Sequence, residues 1–241
     1  MVTLKMAIIF LMEQIRTPFS LIWTIMSPTV LFFFLHFNEI ELHYGDTAWL
    51  GKQISWFVGY ISFSVVLFNY CLYLVGRRES GFIATFVHNM DGRLLFIRSQ
   101  LIASLIMSIL YVFFFILVVL TGFQASPDYQ IVMIILKSIY INAFMMVSLT
   151  FMASFRVTFQ TASTIYSVLI TVCMVSGILS LKYNEGIVYW INQVNPIAIY
   201  STILQSDQEL SLMTIFFYSI MLIISIISAL TFKTEPVWSS Q

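Results

Sequence analysis

The 241 residues carry no net formal charge, 60% of them are apolar and only 9% are charged, with a mean hydropathy of +0.94. Charged residues make up about a quarter of an ordinary soluble domain, so this composition excludes one and places most of the chain in a bilayer. A neutral total gives no bulk attraction to nucleic acid, and the information lies in where the charges fall.

A membrane span takes about 20 predominantly apolar residues at 1.5 Å each, and this length has room for six with short connections. The reading is an all-α membrane protein with spans at 18–37, 54–75, 101–123, 130–154, 161–181 and 213–232. Residues 6–12 are apolar but are cut off by Glu13, Gln14 and Arg16, too soon to cross. Segment 1–17 is therefore predicted as an interfacial helix leading into the first span. A cleaved signal peptide, suggested by Lys5 before the apolar run, is disfavoured because no small-x-small site follows. Ser27-Pro28 interrupts the first span, as a kink that neighbouring groups in a membrane bundle can accommodate.

After that span, Gly45-Asp46-Thr47-Ala48-Trp49-Leu50-Gly51-Lys52 imitates a phosphate-binding loop but fails in detail. Five residues part the glycines instead of four, and Gln53 stands where a magnesium-holding Ser or Thr is needed. It reads as an outer loop with glycines at turns. Gly76 to Gln100 is the one sizeable charged island between membrane-length apolar runs, and it holds Arg77, Arg78, Arg93 and Arg98. Short Lys/Arg-rich loops stay cytoplasmic, so this loop orients the protein. Within it Phe82, Ile83, Phe86, Val87 and Met90 recur at helical spacing, opposite Glu79, Ser80, Thr85, His88 and Asn89. Asp91-Gly92 is read as a stop and turn. A plain membrane-surface helix would show the same stripe.

With this arrangement Lys5, Arg16, Arg77, Arg78, Arg93, Arg98, Arg156 and Lys233 lie inside, and Lys52, Lys137 and Lys182 lie outside or within a span. Both termini are then cytoplasmic. Tyr44, Trp49, Trp56, Tyr129, Tyr183, Tyr189 and Trp190 fall near the outer boundary, where interfacial aromatics belong. Lys137 is the one charge well inside a span, and either snorkels to the outer interface or serves a polar cavity. Cys71 and Cys173 sit within spans and read as small packing residues, while Gly177 and Ser180 permit close helix contact. His36, His43 and His88 lie in separate segments without a second ligand at a useful interval, so neither a metal set nor a catalytic constellation is legible.

Arg78-Glu79-Ser80-Gly81, then Arg93 and Ser99-Gln100-Leu101, resembles the loop between the second and third spans of ABC-2 type transporter permeases. Arg16-Thr17-Pro18 with Pro28 resembles the approach to that family's first span, and Asn195-Pro196 resembles the Asn-Pro before its last. The family often has an acidic or basic residue directly before Arg-Glu, and Arg77 fills that place, keeping the general charge of the pattern without matching any one subfamily. The resemblance implies the transmembrane half of an ATP-driven exporter in a bacterial cytoplasmic membrane. It implies a coupling loop over 76–100, with Arg78, Glu79, Ser80, Gly81, Phe82, Phe86 and Arg93 meeting a separate ATPase. It also implies short re-entrant helices over 182–212, with Asn195, Pro196 and Lys137 as candidate translocation or outer-gate residues.

No Walker motif is present, so ATP and magnesium are expected on the partner ATPase and no cofactor on this chain. A second permease chain, identical or different, is expected to complete the path. Twenty-three Phe, twelve Tyr and thirteen Met make a soft aromatic wall that suits amphipathic or hydrophobic cargo, or simply lipid. Compact permeases of this kind resemble bacteriocin-immunity and phenol-soluble-modulin exporters, so a peptide leads, followed by a drug or lipid and then a polysaccharide. The rivals are a polytopic membrane enzyme, which would need converging His, Asp or Glu, and a secondary transporter, which usually shows internal repeats.

Overall fold

The computed structural model describes residues 2–16, 18–83, 89–180, 185–205 and 212–230, and every element of length among them is helical. In chain order these are α1 (Val2–Ile15), α2 (Pro18–Leu35), α3 (Thr47–Glu79), α4 (Met90–Gly122), α5 (Tyr129–Ser154), α6 (Phe159–Ser180), α7 (Gly186–Val194), α8 (Pro196–Gln205) and α9 (Leu212–Leu230). Four helices, α3 to α6, are long and apolar enough to cross a membrane. The other two expected spans coincide with α2 and α9, which are apolar helices of lesser described length.

The bundle is built around α3. From Leu50 to Val75 almost every residue of α3 is buried, so it has no polar face and no lipid face. The surrounding helices turn bulky apolar groups outward instead. Leu110, Phe113, Phe114 and Leu117 of α4, Val168, Val172 and Val175 of α6, and Ile223, Ile226 and Ile227 of α9 are all exposed. A girdle of that kind belongs to a membrane-embedded protein, since in water it would be a large uncovered apolar surface.

Helix ends differ from the expected spans because local capping sets them, not hydropathy. α3 begins at Thr47 rather than 54, where Asp46 accepts the Trp49 N–H at 3.0 Å. Gly45, with φ +75°, supplies the turn, but Gly51 is a buried helical residue and not the second loop glycine expected. α4 begins at Met90 rather than 101, and its N-cap is Asn89, whose Oδ1 accepts the Gly92 N–H at 2.8 Å. Asp91-Gly92 therefore opens a helix and does not stop one, with the Asp91 carboxylate in the first turn where the helix dipole favours it. The connection expected over 76–100 shrinks to the stretch between Glu79 and Met90.

α1 lies along α4, burying Ala7, Phe10 and Gln14, while Ser99 Oγ donates to the Thr3 carbonyl at 3.2 Å. Its other face presents Leu4, Ile8, Ile9 and Met12. α2 continues through Pro28 as one helix. At the far end from the arginines, the Gly45 N–H donates to the Phe123 carbonyl and Gln205 Nε2 to the Lys52 carbonyl, joining the start of α3 to the ends of α4 and α8. His36 and His43 both meet Trp49 there, His43 stacking on it at 4.2 Å.

Candidate functional site

Three features concentrate polar chemistry. The first is the basic end, where α3 finishes. Arg77 pairs with Glu13 of α1, Tyr73 OH also donates to that carboxylate, and Arg77 Nη2 donates to Tyr73 OH at 2.7 Å. The guanidinium lies over the Phe82 ring at 4.6 Å and the Tyr73 ring at 5.0 Å. Together these contacts clamp α1 to the end of α3. Partial burial opposes ionisation of Glu13, but the hydrogen bonds from Arg77 and Tyr73 outweigh it and hold the carboxyl below its ordinary 4.5.

The sign follows directly: a lowered carboxylate pKa stabilises the clamp above pH 4.5 and withdraws that support as pH falls through the lowered value. A nitroxide on Lys5→Cys is expected to stay restricted at neutral pH and become mobile below pH 4.5, while Glu13→Gln makes its mobility insensitive to pH.

Arg78 does something else. It is 1% exposed, its Nη1 donates to the Ala153 carbonyl at 3.1 Å and its Nη2 to the Val157 carbonyl at 2.9 Å. It fastens the turn between α5 and α6 to the end of α3, and its guanidinium is not presented to a partner. Glu79 stands beside it at 3.9 Å. Ser80 Oγ donates to the Arg77 carbonyl, and Gly81, at φ +72°, ends the helix in the left-handed conformation that glycine adopts without strain. Arg93 Nη1 donates to the Leu230 carbonyl at 2.9 Å, where a cation also complements the C-terminal dipole of α9. Phe82 is half-buried and Ile83 fully buried, so the expected stripe begins inside the protein. Phe86, with Thr85 and His88, lies outside the described residues, and Met90 belongs to α4.

The second feature has no counterpart in the sequence reading. Residues Val65–Leu72 of α3 form a π-helical segment in the centre of the bundle. The Tyr73 N–H, which a regular helix would give to Asn69, turns to Tyr70, and the Asn69 carbonyl instead accepts from Gln100 Nε2 (2.7 Å), Ser104 Oγ (2.9 Å) and Gln14 Nε2 (3.3 Å). Asn69 Nδ2 reaches Tyr111 OH at 3.4 Å, Asn142 Nδ2 donates to Ser108 Oγ at 2.8 Å, and Tyr200 OH donates to Asn142 Oδ1 at 2.7 Å. A buried carbonyl inside a bilayer has no water to turn to, so these side chains make the wide turn tolerable.

The signal was present in the chain. Gln100, Ser104, Ser108 and Tyr111 recur on one face of α4, a polar stripe in an apolar run. Gln100→Leu is expected to destabilise the bundle by about 1 kcal/mol, as intramembrane hydrogen bonds do. Thermal unfolding in detergent checks it.

The third feature is the end opposite the arginines. Lys137 lines a half-open cavity of about 320 Å³ between α3, α5 and α8, together with Lys52, Gln130 and Gln205. Asn195 and Pro196 are the junction of α7 and α8: Asn195 Oδ1 accepts the Ile197 N–H at 3.0 Å as N-cap, and Pro196 takes the first helical position, where no N–H is needed. Asn195 Nδ2 donates to the Cys173 carbonyl at 2.8 Å and to Ser176 Oγ, tying the junction to α6. Asn195→Ala is expected to cost about 1–2 kcal/mol through the lost cap.

Tyr189 and Trp190 are exposed on α7, whereas Tyr183 and residues 206–211 lie outside the described residues. Gly177 packs against the Trp56 indole of α3, so its close contact is made within the chain. No protein-family model matches the chain.

Proposed function

We propose that this chain is the transmembrane subunit of an ATP-driven exporter of the ABC-2 type. The motif order Arg16-Thr17-Pro18, Arg78-Glu79-Ser80-Gly81, Arg93 and Asn195-Pro196 supports the reading. The observation that carries it is the Glu13–Tyr73–Arg77 clamp. It makes α1 and the end of α3 one block at the basic end, so a push on that block from a soluble partner reaches the most buried helix of the bundle directly.

On this reading α2 and α9 complete six spans, the basic end and both termini face the cytoplasm, and α7 with α8 re-enters from the outer leaflet. The coupling surface consists of the exposed face of α1, Ser80, Gly81 and Phe82 with the connection that follows. Arg78 and Arg93 hold the helices behind that surface. Two permease chains and two ATPase chains form the working unit, and the cargo is an amphipathic peptide. ATP and magnesium stay with the ATPase.

The test is co-purification with the ATPase, then hydrolysis in liposomes with and without candidate peptides. Arg77→Ala is expected to leave insertion intact, to loosen α1, and to lose the peptide-stimulated part of hydrolysis. Stimulation equal to that of the unaltered complex would refute coupling through the clamp, and failure to co-purify with any ATPase would refute the exporter itself.

A further inference from the structure

Between α6 and α9 the bundle leaves a half-open apolar cavity of about 370 Å³. Among the described residues these two helices do not pack closely on each other: α6 rests on α3, α9 rests on α5, and α7 spans the pair. Phe63 of α3 with Leu149 and Met152 of α5 makes the floor, while Val172 of α6 and Ile191 of α7 stand exposed at the mouth. Cys173 lies inward of Val172, and Tyr218 and Met221 close the α9 side.

The polar side chains of the described lining are engaged within the protein. Ser176 Oγ donates to the Cys173 carbonyl at 3.1 Å, Asn195 bonds that same carbonyl and caps α8, and Tyr218 OH donates to the Val194 carbonyl at 3.3 Å. What faces the cavity is hydrocarbon. An ordered water needs two to four polar partners, and an apolar void of about 150 Å³ already stays dry and admits benzene, so this larger space excludes water for the same reason. Left empty, it would deny its lining the dispersion contacts of a packed interior. The mouth is flanked by Val168 and Val175, part of the girdle that α6 turns outward, so the matter nearest to it is the hydrocarbon of the bilayer.

We propose that this cavity takes one acyl chain of a bilayer phospholipid, which enters sideways past Val172 and Ile191 and reaches inward to Phe63, with the headgroup left outside. The chain then wedges α6 from α9 and packs on the Asn195-Pro196 junction, which also lines the cavity. The proposal requires a bilayer around the protein and does not rest on the exporter reading, so it stands or falls without an ATPase.

The experiment reconstitutes the full chain in phosphatidylcholine vesicles doped with a phosphatidylcholine that carries a diazirine near the end of one acyl chain. After irradiation and digestion, mass spectrometry is expected to find adducts on Met152 and Cys173 as well as on the girdle residues Val175, Ile223 and Ile226. Val172→Trp and Ile191→Trp, which plug the mouth from its two sides, are each expected to lose the inner adducts and keep those on the girdle. Both positions are exposed, so the added bulk displaces lipid rather than core. Val168→Trp is expected to change neither set, because a side chain there leans toward the N-terminal end of α6 and away from the mouth. Circular dichroism and gel filtration establish that the variants are folded.

A charged methanethiosulfonate reagent is expected to leave Cys173 unmodified in the vesicles. Its reaction there would make the cavity wet and overturn the proposal. Inner adducts missing from the folded, unaltered chain while the girdle is labelled, or inner adducts that survive both plugs, would overturn it too. Were they missing in a chain that gel filtration finds as a dimer, the cavity would belong to a second copy and not to lipid.

Discussion

Arg78→Met is expected to destabilise the protein by about 3 kcal/mol, the largest effect of any single side-chain truncation at the basic end. The guanidinium satisfies the Ala153 and Val157 carbonyls at once, and both lose their donor when it goes. Methionine fills part of the space, but it cannot donate. Arg78→Lys keeps the charge and offers one ammonium on an unforked stem, so it is expected to recover only part of the loss. The loss is read as a lower thermal midpoint in detergent, together with faster thiol labelling of Val157→Cys as the turn between α5 and α6 comes loose. An unchanged midpoint in Arg78→Met would mean that the two carbonyls find other donors.

Gly59→Ala is the second large effect, and it acts through backbone. An added Cβ at 59 would stand 2.8 Å from Tyr200 Cβ and 2.9 Å from the Ile197 carbonyl oxygen, inside van der Waals contact with atoms that no rotamer change can move. Overpacking costs about 1–3 kcal/mol, and the upper part of that range is expected because α8 itself must shift. That shift would also break the bond from Tyr200 to Asn142 in the polar belt. Gly122→Ala is the internal comparison: its Cβ meets the Phe33 ring at 2.5 Å, a side chain that can swing aside. Gly59→Ala should therefore lower the thermal midpoint clearly more than Gly122→Ala. Equal shifts would show that α8 yields as easily as a phenylalanine ring.

Much of the helical layout was legible because hydropathy is a local property of the chain. Each of the six apolar runs falls on a helix, and the short run at 6–12 lies in a separate one, α1. Boundaries were less legible. Asp91-Gly92 has the composition of a turn, and only the Asn89 side chain bonded to the Gly92 N–H makes it the first turn of α4. The inward bonds of Arg78 were not legible for a different reason: a short motif shows which residues are adjacent, but not that Ala153 and Val157 arrive from some 75 positions away to accept its protons.

Composition and periodicity by themselves determined that this chain is helical, that it belongs with lipid, and that its arginines gather at one end, because each of these depends on summed local transfer energies and charge counts. The tertiary structure alone decided which polar residues are used inward. Asn69, Gln100, Asn142 and Tyr200 are ordinary residues on four separate helices until packing around α3 brings them within bonding distance. Lys52, Lys137 and Gln205 come from three helices to line one cavity for the same reason. In a bilayer interior a polar group must find its partner within the protein, and the identity of that partner is a property of the packed bundle rather than of any stretch of sequence.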